Sequence, residues 1–336
     1  MSRSGAEPKP PWSAVPRGVK SEVARMLGSP VARAARVYGG YAPSATFRIV
    51  LADGRRAFLK SSYPLPKGSQ VHWSITAEER VYRTLGDRIG RWGPRFLGSV
   101  ERDGWQVVAL EDLGPSTIPP WTAAKARLAA RDYARFHEST LGTRLPRWLS
   151  RTEHVKFTSY WAGLVERREL RNVAQLARRR ADEAEEWLAV ALPLMLAGEG
   201  RLACVQRPFA LLHFDTRSDN LRLHGERLRL FDWPFACVGP AEFDVAAFAQ
   251  AVAMEGGPAP ERVVAWYEDV LPLRAAAIDA SLAGICGYFS DRAWRPPHAG
   301  LPRLRSVQRR QLKATLAWAA RRLALPEPSW LVTVPD

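Results

Sequence analysis

The chain has 336 residues, of which 46% are hydrophobic and 25% charged, enough apolar material for one large core or two smaller ones and too much for a disordered chain. Its three cysteines, Cys204, Cys237 and Cys286, are far apart and odd in number, which supports neither a disulfide framework nor a zinc site. No run of 18 or more apolar residues occurs, and the start, MSRSGAEPKPPW, carries proline and charge where a signal peptide needs an apolar stretch, so a cytoplasmic protein with no membrane partner is expected. The formal charge of +15 raises nucleic acid, an anionic surface or acidic small molecules as partners. Arg178, Arg179 and Arg180 are followed at once by Asp182, Glu183, Glu185 and Glu186, the mixed pattern of a solvated helix face, and no basic stripe interleaved with aromatics accompanies it. Nucleic acid is therefore not the expected partner.

Along the chain, a proline-rich arm up to Pro16 leads to a short amphipathic helix from about Val19 to Leu27, which Gly28 can end. Extended runs follow at Val37-Tyr38, Thr46 to Leu51 and Arg55 to Lys60, the last two joined by Ala52-Asp53-Gly54. The next helix, from about Ser74 to Leu85, has Thr76 and Glu79 in the relation of a capping box. Strands at Phe96 to Glu101 and Trp105 to Leu110 flank Asp103-Gly104, a hairpin turn. After Glu111-Asp112-Leu113-Gly114-Pro115 the pattern turns helical: Trp121 to Thr140, Tyr160 to Ala197, Asp244 to Met254, Glu261 to Leu271 and Arg303 to Leu323. A small β patch from Leu211 to Phe231 interrupts it. A β-rich part at 1–113 joined to a mainly helical part at 114–336 is an α+β chain of two lobes.

The β patch holds LLHFDTRSDNLRL, with His213, Asp215 and Asn220 at spacing H-x-D-x-x-x-x-N, in a chain with only two Asn. Its polar residues suit either a solvated turn or an active-site loop. Asp232 closes the next apolar run, twelve residues beyond Asn220 with His224-Gly225 between them. That is one hairpin's length, so Asn220 and Asp232 can stand side by side as an amide oxygen and a carboxylate. Mg2+ takes hard oxygens and commonly only one or two from the protein, the rest coming from water and phosphate. Asp215 would stand near such a metal, free to accept a hydroxyl proton.

These residues, with FD232W and GPAEFD244 behind them, resemble the aminoglycoside phosphotransferase and choline kinase-like family, which has the bilobal protein-kinase-like fold. The resemblance covers most of the chain. It implies a kinase that moves the γ-phosphoryl group of ATP, or of GTP, to a hydroxyl of a small molecule. Asp215 would orient or deprotonate the acceptor, Asn220 and Asp232 would hold Mg2+, Asp244 would anchor the helical lobe and His213 would shape the loop.

The β-rich half supplies the other parts. Gly40 and Ser44 lie in Gly39-Gly40-Tyr41-Ala42-Pro43-Ser44, either a phosphate-capping turn or an ordinary hairpin turn. Lys60 ends the strand AFLK in a chain where only 7 of the 49 basic residues are Lys, and a compact ammonium reaches between phosphates as a guanidinium fork does not. If Glu79 closes the capping box, Glu78 is left to pair with Lys60, and the family's Glu seven residues before a Leu, here Leu85, selects the same residue. The link, with Glu111 and Leu113, would present backbone groups to the purine edge. His137 reads as a packing residue, and Arg217 either as a partner of the transferring phosphoryl group or as a surface residue.

Two departures from the family stand out: Phe214 where it usually has Gly, and Pro234 close behind Asp232. The acceptor is left open between an antibiotic, a sugar, a nucleoside and a hydroxy amino acid; the net charge points away from a polycation and makes a neutral or anionic compound at least as good a candidate. A catalytically weak nucleotide-binding module is the alternative. Against it stands the full set of Lys60, Glu78, Asp215, Asn220 and Asp232, which a binding module does not need.

Overall fold

The computed structural model describes residues 9–38, 43–65, 74–151, 157–298 and 301–336. Helix α1, Arg17–Leu27, buries Val19, Val23 and Leu27 on one face and ends at Gly28, whose φ of 73° lies in the left-handed region that glycine reaches without cost. Strands β1 (Val31–Arg36), β2 (Ala45–Leu51) and β3 (Arg56–Ser62) are followed by α2 (Thr76–Ile89), then by β4 (Phe96–Arg102) and β5 (Trp105–Leu110). The five strands form one antiparallel sheet in the order β1-β2-β3-β5-β4. The β4–β5 turn has both Asp103 and Gly104 at positive φ, 53° and 73°, the geometry that matches the twist of a two-residue hairpin.

The sheet sorts its residues by the period of two. Ala45, Phe47, Ile49, Ala57 and Leu59 pack with α1 in one apolar cluster, while Ser44, Thr46, Arg48, Phe58 and Lys60 face a cleft. Helix α2 joins the larger core, which runs on through the helical half. That half contains α3 (Ala123–Thr140), α4 (Tyr160–Glu166), α5 (Leu170–Gln175), α6 (Ala181–Ala203), α7 (Ala241–Met254), α8 (Pro260–Glu268), α9 (Ala275–Arg292) and α10 (Leu304–Arg322). Strands β6 (Ser150–Arg151), β7 (Ala210–Leu212) and β10 (Cys237–Gly239) form a small sheet, and β8 (Leu221–His224) with β9 (Arg227–Leu230) forms a hairpin. No helix among the described residues is long and apolar enough to cross a membrane.

Several local expectations are corrected. The first strand lies at Val31–Arg36, before Val37-Tyr38. The long helix expected from Tyr160 to Ala197 is broken into α4, α5 and α6, with Arg168 and Arg178 at φ of 56° and 54° between the pieces. Helix α9 has no counterpart in the expectations: it is buried on nearly every side, so its sequence lacks the polar stripe that marks a surface helix. The capping box of α2 does not form. Its N-cap is Ile75 with no side-chain bond, the Thr76 hydroxyl donates to Gln106 Oε1 (2.9 Å), and Glu79 accepts from Ser99, Gln106 and Arg83.

Candidate active site

The loop after β7 is fixed from below by Asp244, in the first turn of α7 and fully buried. Its carboxylate accepts from the backbone N–H of His213 (2.6 Å) and of Phe214 (2.9 Å) and from the Tyr133 hydroxyl (2.6 Å). His137, packed among aromatic rings, places Nε2 3.3 Å from the same carboxylate and Nδ1 2.7 Å from the Tyr267 hydroxyl. Burial pushes the His213 imidazole below its ordinary value, so the ring is neutral. Its hydrogen bonds fit the Nε2–H tautomer, with Nε2 donating to the Phe231 carbonyl (2.9 Å) and Nδ1 accepting the Asp215 N–H (3.3 Å). One histidine thus ties the Asp215 loop to the residue before Asp232.

The hairpin does the same from the other side. Leu221 pairs with Leu230, and the Phe231 N–H donates to the Asn220 carbonyl (3.1 Å), so Asn220 and Asp232 leave the two strands as neighbours. Asn220 Nδ2 donates to Asp215 Oδ2 (2.9 Å) and to the Asp215 carbonyl (2.8 Å), which directs its amide oxygen elsewhere. Arg217 holds Asp215 in a bidentate pair, Nε to Oδ1 at 2.8 Å and Nη2 to Oδ2 at 3.0 Å. Burial alone would raise the Asp215 carboxyl, but the Arg217 charge and hydrogen bonds outweigh it and hold the group below its ordinary value. The conformation of Phe214, at φ 69°, accounts for the glycine usual at that position; here its ring stacks on Phe243 (4.6 Å, 8°) and meets Phe157 edge-on (4.9 Å).

From the roof, Lys60 reaches Glu78, the partner expected for it, and also Asp232, for which no such pair was expected. Its Nζ lies 2.6 Å from Glu78 Oε2 and 2.5 Å from Asp232 Oδ1. Burial opposes the Lys60 charge, but the two carboxylates prevail and raise its pKa. Ser44, at the start of β2, lines the cleft and accepts from Lys9 Nζ (3.2 Å). Glu111 and Leu113 also line it; the Glu111 carboxylate is taken by Arg229 (2.7 Å) and the Arg95 N–H (3.1 Å), and the Glu111 N–H donates to the Arg95 carbonyl (2.9 Å). Gly40 lies outside the described residues.

The cleft, about 310 Å3, falls in the range of small-molecule sites. Phe58 from the roof and Phe231 from the floor supply apolar faces, while Lys60, Asn220 and Asp232 supply charge and polarity at the same cleft. Phe58 was within reach of sequence reasoning, because it shares a strand face with Lys60. Lys9, Arg48, Asp219 and Arg222 line the cleft as well and carry no motif. Asp219 is raised by burial against the pull of Arg217, and Arg222 is lowered to about 10 by burial and by Arg48.

As a metal site the donor set is oxygen only. Among the described residues no trio of His, Cys, Asp or Glu gathers for a metal. The Asn220 amide oxygen and the Asp232 carboxylate are hard donors of the kind Mg2+ accepts alongside phosphate and water.

Residues 35–278 match the family model described as the phosphotransferase enzyme family. The chain belongs to that family. Its family is one of phosphotransferases, and its fold is the α+β, protein-kinase-like one. No curated protein sequence matches it. Among solved structures it is similar to an aminoglycoside phosphotransferase from Alicyclobacillus acidocaldarius, with a TM-score of 0.58 at 15% identity over 94% of this chain and 97% of that one. It is also similar to the choline kinase LicA from Streptococcus pneumoniae, at 0.54 and 14% over 94% and 98%. A third is the amicoumacin kinase hAmiN in complex with AMP-PNP, Ca2+ and Ami, at 0.55 and 11% over 90% and 93%. At these identities the likeness concerns the fold.

Proposed function

We propose that the protein transfers the γ-phosphoryl group of MgATP to a hydroxyl of a small neutral or anionic molecule, with residues 1–113 as the nucleotide lobe and 114–336 as the catalytic and acceptor lobe. The observation that carries this reading is the convergence of an ammonium, two carboxylates and an amide: Lys60 ion-paired with Asp232, and Asn220 bonded to Asp215. AMP-PNP in the complex of hAmiN supports a nucleoside triphosphate as donor. The surplus of Arg argues against a polycationic acceptor.

In this reading the purine lies between Phe58 and Phe231, its edge against the backbone of Glu111 to Leu113, and Ser44 and Gly40 border the phosphates. Lys60, positioned by Glu78, neutralises phosphate charge. Bound between Asn220 and Asp232, Mg2+ would supply charge compensation for the phosphoryl group in transit. Asp215 orients the acceptor hydroxyl and takes its proton as the new O–P bond forms and the bond to the ADP oxygen breaks. A carboxylate held below its ordinary pKa is a weak base, which suits a loose transition state in which the proton leaves late and positioning carries most of the rate.

Thermal unfolding tests the donor site. Wild type with MgATP at 100 times its dissociation constant should gain about 2.7 kcal/mol, a shift of a few degrees, and Asp232→Asn should gain much less. An equal shift in both proteins would remove Asp232 from the site, and no shift with ATP or GTP would remove the nucleotide.

A further inference from the structure

The N-terminal arm does not stay on the outside of the sheet. Trp12 packs edge-on against Phe47 at 5.2 Å, on the face of β2 covered by α1, and Val15 is buried in the same cluster. Three residues before Trp12, Lys9 lies in the cleft on the opposite face, lined there with Ser44, Thr46, Phe58 and Lys60. It is only 6% exposed. Its carbonyl is held by the Arg36 guanidinium at the end of β1, and its Nζ stands 3.2 Å from Ser44 Oγ and 3.3 Å from Thr46 Oγ1. The arm therefore passes around the sheet and delivers an ammonium to the cleft.

Its position within the cleft is specific. In the β2–β3 register Thr46 is paired with Lys60, so the two side chains stand across from one another on one face of the sheet, where paired Cβ atoms are about 5 Å apart. The hydroxyl that receives Lys9 is thus the cross-strand neighbour of the lysine assigned to the phosphates. On this wall of the cleft its ammonium meets the hydroxyls of Ser44, just before β2, and of Thr46 on β2. Two lysines, out of seven in a chain that otherwise prefers Arg, meet on one wall of a cleft read as a polyanion site.

We propose that Lys9 binds the phosphate chain of the donor nucleotide, which makes the N-terminal arm part of the active site. The inference rests on the donor assignment above and adds to it a residue outside the matched region 35–278. Lys9 acts as a compact point charge on the phosphates, a role distinct from packing the roof over the base.

Calorimetric titration of wild type, Lys9→Met and Lys9→Arg with MgATP, MgADP and adenosine separates the two roles. The expected result is that Lys9→Met weakens MgATP and MgADP about tenfold or more, leaves adenosine unchanged, and is partly rescued by Lys9→Arg. Equal weakening of adenosine and MgATP would mean that Lys9 only shapes the roof, and no change would mean that it is a strut; either result overturns the proposal. Failure of wild type to bind any of the three would instead bring down the donor assignment, and the inference with it. Acetylation of wild-type lysines, read by mass spectrometry, covers the case in which Lys9→Met does not fold. MgADP should protect Lys9 and adenosine should not, and equal labelling with both sinks the idea.

Discussion

The floor and the roof of the cleft are built on different principles. The floor is organised around Asp244, a single buried carboxylate that holds the Asp215 loop by two backbone N–H groups and also accepts from the Tyr133 hydroxyl of α3. None of these partners is a ligand-binding group, so the loop's shape is settled when the helical half folds. The roof depends on Lys60, whose partners are Glu78 on α2 and Asp232 on the far side of the cleft. In the proposed site two of these three groups are also ligand-binding groups. The floor is therefore a preorganised scaffold, and the roof is a set of charges able to exchange partners when a nucleotide arrives.

The largest expected effect tests the floor's chemistry. Asp215→Asn should lower kcat by about 10^2 to 10^4, while the thermal shift with MgATP persists. Loss of both together would mean that Asp215 belongs to nucleotide binding instead. Next comes the scaffold itself: Asp244→Ala orphans two buried backbone donors and should cost about 3–5 kcal/mol in urea unfolding. A cost below about 1 kcal/mol would contradict the anchoring role.

Phe214→Gly relieves a left-handed backbone, worth about 1–3 kcal/mol, but removes a ring packed on Phe243 and Phe157. A net loss of roughly 1–2 kcal/mol is expected, and a net gain would show that the strain outweighs the packing. The smallest effect is on pH dependence. In the proposed mechanism Asp215 works as the carboxylate, so activity should fall as pH drops through its pKa, which Arg217 holds below the ordinary 3.8. Arg217→Gln removes the depressing charge and should move the acid limb of the kcat profile to higher pH. An unmoved limb would assign it to another group.

The neighbourhood of Asn220 and Asp232 and the pairing of Lys60 with Glu78 were legible from a hairpin's length, a strand end and a helix turn, whereas Asp215 was singled out by its motif and the family resemblance. The β8–β9 hairpin brings Asn220 beside Asp232 as the twelve-residue spacing requires. Glu78 was selected for a reason that failed in part, since Glu79 serves the sheet through Ser99 and Gln106 and not the helix cap. Either use leaves Glu78 to pair with Lys60, as it does at 2.6 Å. Helix α9 was illegible because a helix buried on most sides has no amphipathic signal. The breaks at Arg168 and Arg178 leave no trace either, as arginine at positive φ is a product of packing and not of local preference. Lys9 was hidden for a different reason: its place depends on an arm rounding a sheet edge, a contact 37 residues away in sequence with Thr46.

Lys60 lies between Glu78 and Asp232. A cation seeking Asp232 must compete with an ammonium already there, and a phosphate chain that draws Lys60 aside lifts that competition. Linkage then requires the reverse: whatever the nucleotide adds to the affinity for the metal, the metal adds equally to the affinity for the nucleotide. In the proposed site, nucleotide and metal would therefore bind cooperatively, each raising the affinity for the other.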